Sequence, residues 1–377
     1  MKIILITDAE SNWCVEYIDR VFKNEKVDLC IVSLHGEKNK KYYAEQNIPV
    51  YTYYSDSRYF VVRWLYRKKL AHRIKREFGS CDAIHVNLAT APAMDRLAEL
   101  WDLAPKHIVT FWGSDLLRAS DKVLLKFNRL LQKVDSINLL TENMRTRFND
   151  VFGDAFSDKL TVFDFGCPMY ESIDKVKQTL DKGRCKEYLG IDSEKIVVPI
   201  GYNSIIEQQH LKIIEAIKDI DSKLKDQIVF VLHFCYGLDN QEDYFLAIKE
   251  KLEVYHMNYK IIDRFLDKRE TSILRCASDI FLYAQTTDAL SASVIEYLYS
   301  GCLLVKPDWL SYPELDSRSV KYISYRDFER LKDAFLGAID IYDDENRLKE
   351  YQNNRDILWN MNSWEVVAPK WRALYED

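Results

Sequence analysis

A chain of 377 residues that is 47% hydrophobic and 30% charged has room for two soluble domains of ordinary size. Its net charge of −6 argues against nucleic-acid binding, and only 11 Gly and 8 Pro leave no room for a long flexible linker. Eight scattered cysteines without C-x-x-C spacing give no support for zinc or redox motifs and fit free thiols in a reducing cytoplasm.

The opening run Met1–Asp8 is too short in apolar residues for a signal peptide and reads as a first buried strand. No stretch approaches the roughly 18 apolar residues of a membrane span. Ile3–Ile6, Val27–Ser33, Ala83–Val86, Ile108–Phe111 and Ser136–Leu140 read as buried parallel strands. Amphipathic stretches such as Cys14–Lys23 and Pro92–Trp101 read as the helices between them, with Pro92 at a first helical position. The β-α-β rhythm predicts an α/β fold with a doubly wound sheet.

The rhythm pauses near Phe163–Pro168, and a polar helix follows to about Gly190. Strands Ile196–Gly201, Ile228–Phe234, Tyr259–Ile262, Ile280–Tyr283 and Leu303–Val305 then form a second series. The predicted division is 1–168 with a returning helix at 360–377, and 169–359. Residues 1–165 carry 25 Lys and Arg against 22 Asp and Glu, the remainder 28 against 37, so the halves differ in charge. The loop after the first strand, Asp8–Trp13, lacks the G-x-G-x-x-G of a dinucleotide dehydrogenase, and no P-loop is present.

The segment 287–305 carries the strongest functional signal. A small-residue turn, Ser291-Ala292-Ser293, opens an amphipathic helix that ends at Gly301 and runs into an apolar strand. Free N–H groups at such a helix start attract anions. Asp288 and Glu296, which bracket seven residues, suit the hydroxyls of a donor sugar and a ribose. An ordinary helix start in a parallel α/β domain is the competing reading. Asp115, after the Gly113-Ser114 turn, is a candidate general base or an N-cap. Asp8, His85 and Asn87 fall at strand ends on the same side, although His85 alternates with Ile84 and Val86 as a core histidine would. Arg58–Arg76 holds eight cations interleaved with aromatics; Arg63, Trp64, Arg67, Lys68 and Lys69 read as an interfacial patch for anionic lipid or as a solvated helix face.

These segments together resemble a glycosyltransferase of the GT-B fold. Asp288-x7-Glu296 resembles the E-x7-E motif of retaining family 4, with Ile295–Gly301 in its second part. Ser278–Tyr283 resembles the strand before that motif, Phe111–Leu116 the H/W-G-x-D stretch of the N-terminal domain, and Ser363-Trp364 the segment that crosses back to it. A narrower similarity, through Trp112–Asp115, Gly201–Ser204 with His210, and Cys276–Val305, is to the lipid-linked 4-acetamido-4,6-dideoxygalactosyl transferases of enterobacterial common antigen.

The resemblance implies two Rossmann-like domains facing a central cleft, an acceptor-side domain first and a nucleotide-sugar domain second. It implies a cytoplasmic hexosyltransferase, peripheral on the inner face of the cell membrane. Such an enzyme moves a sugar from a nucleoside diphosphate to a lipid-linked saccharide in surface polysaccharide synthesis, without cofactor or metal. Trp112 falls on the acceptor side. The family usually has Gly-Arg after the first strand of the second domain and then a Lys, whereas here Gly201 precedes Tyr202 and the later stretch is Glu207–His210. That departure moves the diphosphate contacts to Gly201, Asn203, Ser204, His210, Ser291 and Ser293, with Arg264 or Lys306 as replacement cations. It also keeps open a GT-B nucleotide-sugar epimerase and a catalytically degenerate scaffold.

Overall fold

The computed structural model describes residues 1–23, 25–36, 38–52, 58–235 and 242–376, with the side chains of Phe60 and Arg63 outside the description. The chain divides into two compact units, Met1–Gly166 with Trp364–Asp377, and Cys167–Ser363. The boundary falls two residues before that read from the sequence, and the returning segment starts four residues later.

In the first unit β1 (Lys2–Thr7), β2 (Asp28–Ser33), β3 (Val50–Thr52), β4 (Ala83–Asn87), β5 (Lys106–Phe111), β6 (Ser136–Leu139) and β7 (Leu160–Val162) form one parallel sheet in the order β3-β2-β1-β4-β5-β6-β7. Ile3 to Ile6 are fully buried because helices cover both faces of the sheet, which is why β1 reads as a continuous apolar run. The short strands β3 and β7 escape a sequence reading because three residues give no period to detect.

The second unit holds β8 (Ile196–Pro199), β9 (Ile228–His233), β10 (Tyr259–Ile262), β11 (Ile280–Leu282), β12 (Leu303–Pro307) and β13 (Ile323–Tyr325), in the ribbons β10-β9-β8 and β11-β12-β13. A parallel bridge between Ile200 and Leu282 joins the ribbons, and Gly201 N–H donates to the Leu282 carbonyl at 3.1 Å. Alternate residues feed cores on opposite faces: Phe281 and Leu304 on one, Ile280, Leu282, Leu303 and Val305 on the other. Asp279, fully buried before β11, accepts from Lys182, Lys186 and the Val197 amide at 2.7–2.9 Å and so fastens the helix Lys182–Tyr188 to β8.

The helix Trp364–Ala373 belongs to the first unit. Trp371 is fully buried beside Tyr17 and Phe163. Tyr375, just beyond, bonds Tyr17 at 2.9 Å and His85 Nδ1 at 2.5 Å, while His85 Nε2 meets Thr110 Oγ1 at 2.8 Å. This corrects the acceptor-side reading of His85. It is a wholly buried histidine with both nitrogens engaged, the outcome its alternation in β4 favoured.

Burial pushes the His85 imidazole down to about 3. The unfolded chain takes up that proton below about pH 6.5, so stability falls as pH drops from 6.5 toward 3, by about 1.4 kcal/mol per pH unit. Urea unfolding at stepped pH should show a shallower acid slope for His85→Gln than for the native chain. Equal slopes would mean that the histidine is not held neutral.

Candidate functional site

The carboxyl ends of β8 and β11 carry most of the residues singled out in the second unit. The loop after β8 turns at Gly201, whose φ of +65° is a conformation that side chains with a Cβ rarely adopt. A Cβ built there would stand 2.8 Å from His210 Nε2 and 2.9 Å from Gln208 Oε1. Both atoms are buried and neither has a hydrogen-bond partner. The Tyr244 hydroxyl lies 3.2 Å from His210 Nδ1. The His210 Nε2 lies against Gly201, with the Asn203 backbone beside the ring. Burial drives the imidazole down to about 3, so His210 is neutral rather than the conditional cation the sequence allowed. Asn203 and Ser204 are buried, and Asn203 Oδ1 closes the turn by accepting Ile205 N–H at 3.1 Å.

One amide oxygen ties this loop to its neighbour. Gln285 Oε1 accepts from Tyr202 at 3.1 Å, Gln208 at 3.0 Å and Tyr283 at 2.6 Å. Gln209 Nε2 reaches the Ala284 carbonyl at 2.6 Å, and Thr286 N–H the Glu207 carbonyl at 3.0 Å. Sequence reasoning passed over Gln208, Tyr283 and Gln285. A glutamine placed directly after a buried strand was the available signal.

The helix Ala292–Ser300 starts at the far side of the same edge. Ser291 is its N-cap but makes no side-chain capping bond. Asp288 Oδ2 takes Ser291 N–H at 2.9 Å and the Tyr312 hydroxyl at 2.7 Å. The first-turn N–H groups of Ala292 and Ser293 have no recorded acceptor among the described residues. Leu290 stands at φ +64°, a strained conformation fixed by burial of its side chain. Burial raises the Asp288 carboxyl, against the pull of Tyr312 and the Ser291 amide.

Three expectations change here. Glu296 is 6% exposed and bonds Arg275 Nε at 3.0 Å, while Arg275 also donates to Ser293 Oγ at 3.1 Å and lies 4.0 Å over the Tyr297 ring. Glu296 is therefore first the counter-ion of a buried arginine. Arg264 is taken by Glu270 in a two-pronged pair at 3.0 and 2.6 Å and is no free cation for a diphosphate. Lys306 is buried and spends its ammonium on the carbonyls of Pro307 and Leu310.

In the first unit, Asp115 is not free to act as a base. Its oxygens accept the amides of Trp112, Gly113 and Ala89, all at 2.9–3.1 Å, and it organises the loops after β4 and β5. Burial raises its carboxyl while those amides pull it down. Asn87 Oδ1 accepts the Trp112 indole at 2.7 Å. Asp8 lies partly exposed 3.3 Å from His35. The helix Phe60–Glu77 shows Tyr59, Val61, Val62, Trp64 and Leu65 to solvent along with Lys68 and Lys69. Arg67 is partly covered and faces Asp95 at 3.7 Å, and the Arg63 side chain lies outside the described residues. No helix among the described residues is long and apolar enough to cross a membrane, and no group of His, Cys, Asp or Glu there could hold a metal ion.

Residues 2–139 match the family model described as Glycosyl transferase 4-like. No curated protein matches the chain. Among solved structures, a glycosyltransferase from Rickettsia africae ESF-5 is 16% identical with a TM-score of 0.77, covering 100% of this chain and 97% of its own. HepE from Anabaena, in complex with UDP and glucose, is 14% identical at a TM-score of 0.75, covering 99% and 98%. Sucrose-phosphate synthase from Thermosynechococcus elongatus is 10% identical at 0.72, covering 100% and 98%. The fold is GT-B. With the family match over the first unit, it supports a glycosyltransferase.

Removing the Glu296 carboxylate should cost about 3–5 kcal/mol, because a buried guanidinium is left uncompensated. Chemical denaturation should show Glu296→Ala strongly destabilised and Arg275→Met with Glu296→Leu recovering much of the loss. A Glu296→Ala chain as stable as the native one would refute the buried pair.

Proposed function

We propose that the protein transfers a sugar from a nucleoside diphosphate, bound at the carboxyl edge of β8 and β11, to a lipid-linked saccharide during surface polysaccharide synthesis. One observation carries the donor half of this reading: buried polar atoms without partners, Gln208 Oε1 and His210 Nε2, converge on one edge at Gly201, where a Cβ would stand within 3 Å of both. The neighbour HepE, crystallised with UDP and with UDP-glucose, makes uridine diphosphate the nucleotide to expect.

Transfer breaks the bond between the sugar C1 and the diphosphate oxygen and forms one from C1 to the acceptor oxygen, while negative charge gathers on the leaving diphosphate. Fixed donors aimed at that charge are the largest aid such a site gives. The amides of Ala292 and Ser293 and the imidazole of His210 would supply them, with the partial positive charge of the helix start behind the amides. Asp288 would face the donor sugar and Glu296 the ribose, as the family resemblance implies. The neutral Tyr202 and Gln208 favour one rival, a scaffold that binds no nucleotide.

UDP at about 100 times its Kd would stabilise the chain by roughly 2.7 kcal/mol. Thermal shift should therefore rise with UDP more than with dTDP, GDP or CMP, and vanish in Gly201→Ala. dTDP standing out instead would favour the narrower resemblance to the dideoxygalactosyl transferases. No shift with any nucleotide would favour the scaffold.

The lipid-linked acceptor and a peripheral membrane location are supported by the helix Phe60–Glu77, where Tyr59 is 76% and Trp64 48% exposed beside Lys68 and Lys69. Indoles at the interface and lysines on anionic headgroups are what such a surface offers. Each lysine near an anionic membrane is worth about 1 kcal/mol, so Lys68→Glu with Lys69→Glu should lower phosphatidylglycerol vesicle binding by more than tenfold in a sedimentation assay. Unchanged sedimentation would remove the membrane from the account.

A further inference from the structure

The first unit carries a rigid aromatic surface that the donor reading does not use. The loop after β1 is fixed from several sides: Ala9 N–H donates to Ser33 Oγ at 3.1 Å, and the Ala9 carbonyl accepts the Tyr43 hydroxyl at 2.8 Å and Asn39 Nδ2 at 3.3 Å. Ser11 Oγ then caps the helix Asn12–Val21 by taking Trp13 N–H at 3.2 Å. Trp13, presented by this pinned loop, is 36% exposed.

Its ring meets Trp112 edge-to-face at 6.1 Å and Phe165 at 5.1 Å, and Trp112 packs 4.7 Å from Phe165. Trp112 is held in turn by the Asn87 bond to its indole and by Asp115 on its amide. Asp8, on the Trp13 loop, keeps a partly exposed carboxylate. Two indoles at the carboxyl ends of β1 and β5 are thus set in place without a ligand, so little ordering is lost when one binds.

We propose that Trp13 and Trp112, with the Asp8 carboxylate on the same loop, form a stacking site for an uncharged pyranose ring. Naming that ring as part of the acceptor rests on the transferase reading; the binding site itself does not. A pyranose offers a flat C–H face to an indole and hydroxyls to a carboxylate. The acidic loop, with Asp8 and Glu10, disfavours a nucleotide, whose phosphates it would repel.

The test is saturation-transfer NMR of the full chain with the methyl pyranosides of glucose, galactose and N-acetylglucosamine at millimolar concentration. UDP thermal shift is read on the same samples. At least one pyranoside should bind, roughly fivefold to tenfold more weakly to Trp13→Ala. Trp13→Phe should keep most of the affinity, and Phe265→Ala, which removes an exposed ring of the second unit, should leave it unchanged. The UDP response should be the same in all four chains. Pyranoside binding indifferent to Trp13→Ala, or absent from the native chain, overturns the proposal. Binding through Trp13 without any nucleotide shift would sustain this site and remove the donor reading; a UDP shift without pyranoside binding would do the reverse.

Discussion

The three donors gathered on Gln285 Oε1 hold the candidate donor edge together. Tyr202 and Gln208 come from the loop after β8, Tyr283 from the end of β11, and no charge is involved. With those hydroxyls and that amide drawn to one oxygen, Gln208 Oε1 and His210 Nε2 are left without partners against Gly201. A buried amide that satisfies three donors fixes geometry well, because each bond lost would strand a polar group away from water.

Charge in the second unit is spent on structure. Asp279 with Lys182 and Lys186, and Glu296 with Arg275, are pairs at 2.7–3.0 Å whose members are mostly buried. Arg264 and Lys306 are engaged as well. The family resemblance leads one to expect an arginine and a lysine for the diphosphate, where this chain has Tyr202 and the stretch Glu207–His210; Tyr202 and Gln208 both donate to Gln285. In the proposed donor site a diphosphate would meet oriented dipoles instead: helix amides and a neutral imidazole. Such dipoles act at short range and lose less to salt than exposed cations do.

The sequence made the long strands and the change of unit legible because both faces of each sheet are covered, giving unbroken apolar runs such as Ile3–Ile6. The motif Asp288-x7-Glu296 was legible for a similar reason: a strand, a turn and a helix follow one another in a fixed order. Which partner each polar group takes was not legible. Arg275 lies 21 residues from Glu296, and Tyr375 lies 290 from His85, so neither pairing leaves a local pattern. Asp115 shows the limit most clearly: a carboxylate after a Gly-Ser turn can be a base or a loop organiser, and only the three amides around it decide. Trp13 was hidden for the opposite reason, since exposure, not pattern, makes it informative.

The central claim is that a nucleoside diphosphate sits at the joined carboxyl ends of β8 and β11. Hydrogen–deuterium exchange with and without UDP tests it most directly, peptide by peptide. The account predicts slowed exchange in peptides spanning 201–211 and 283–296 and no change across β1 to β7. Protection confined to the first unit, or no protection anywhere at saturating UDP, would contradict it.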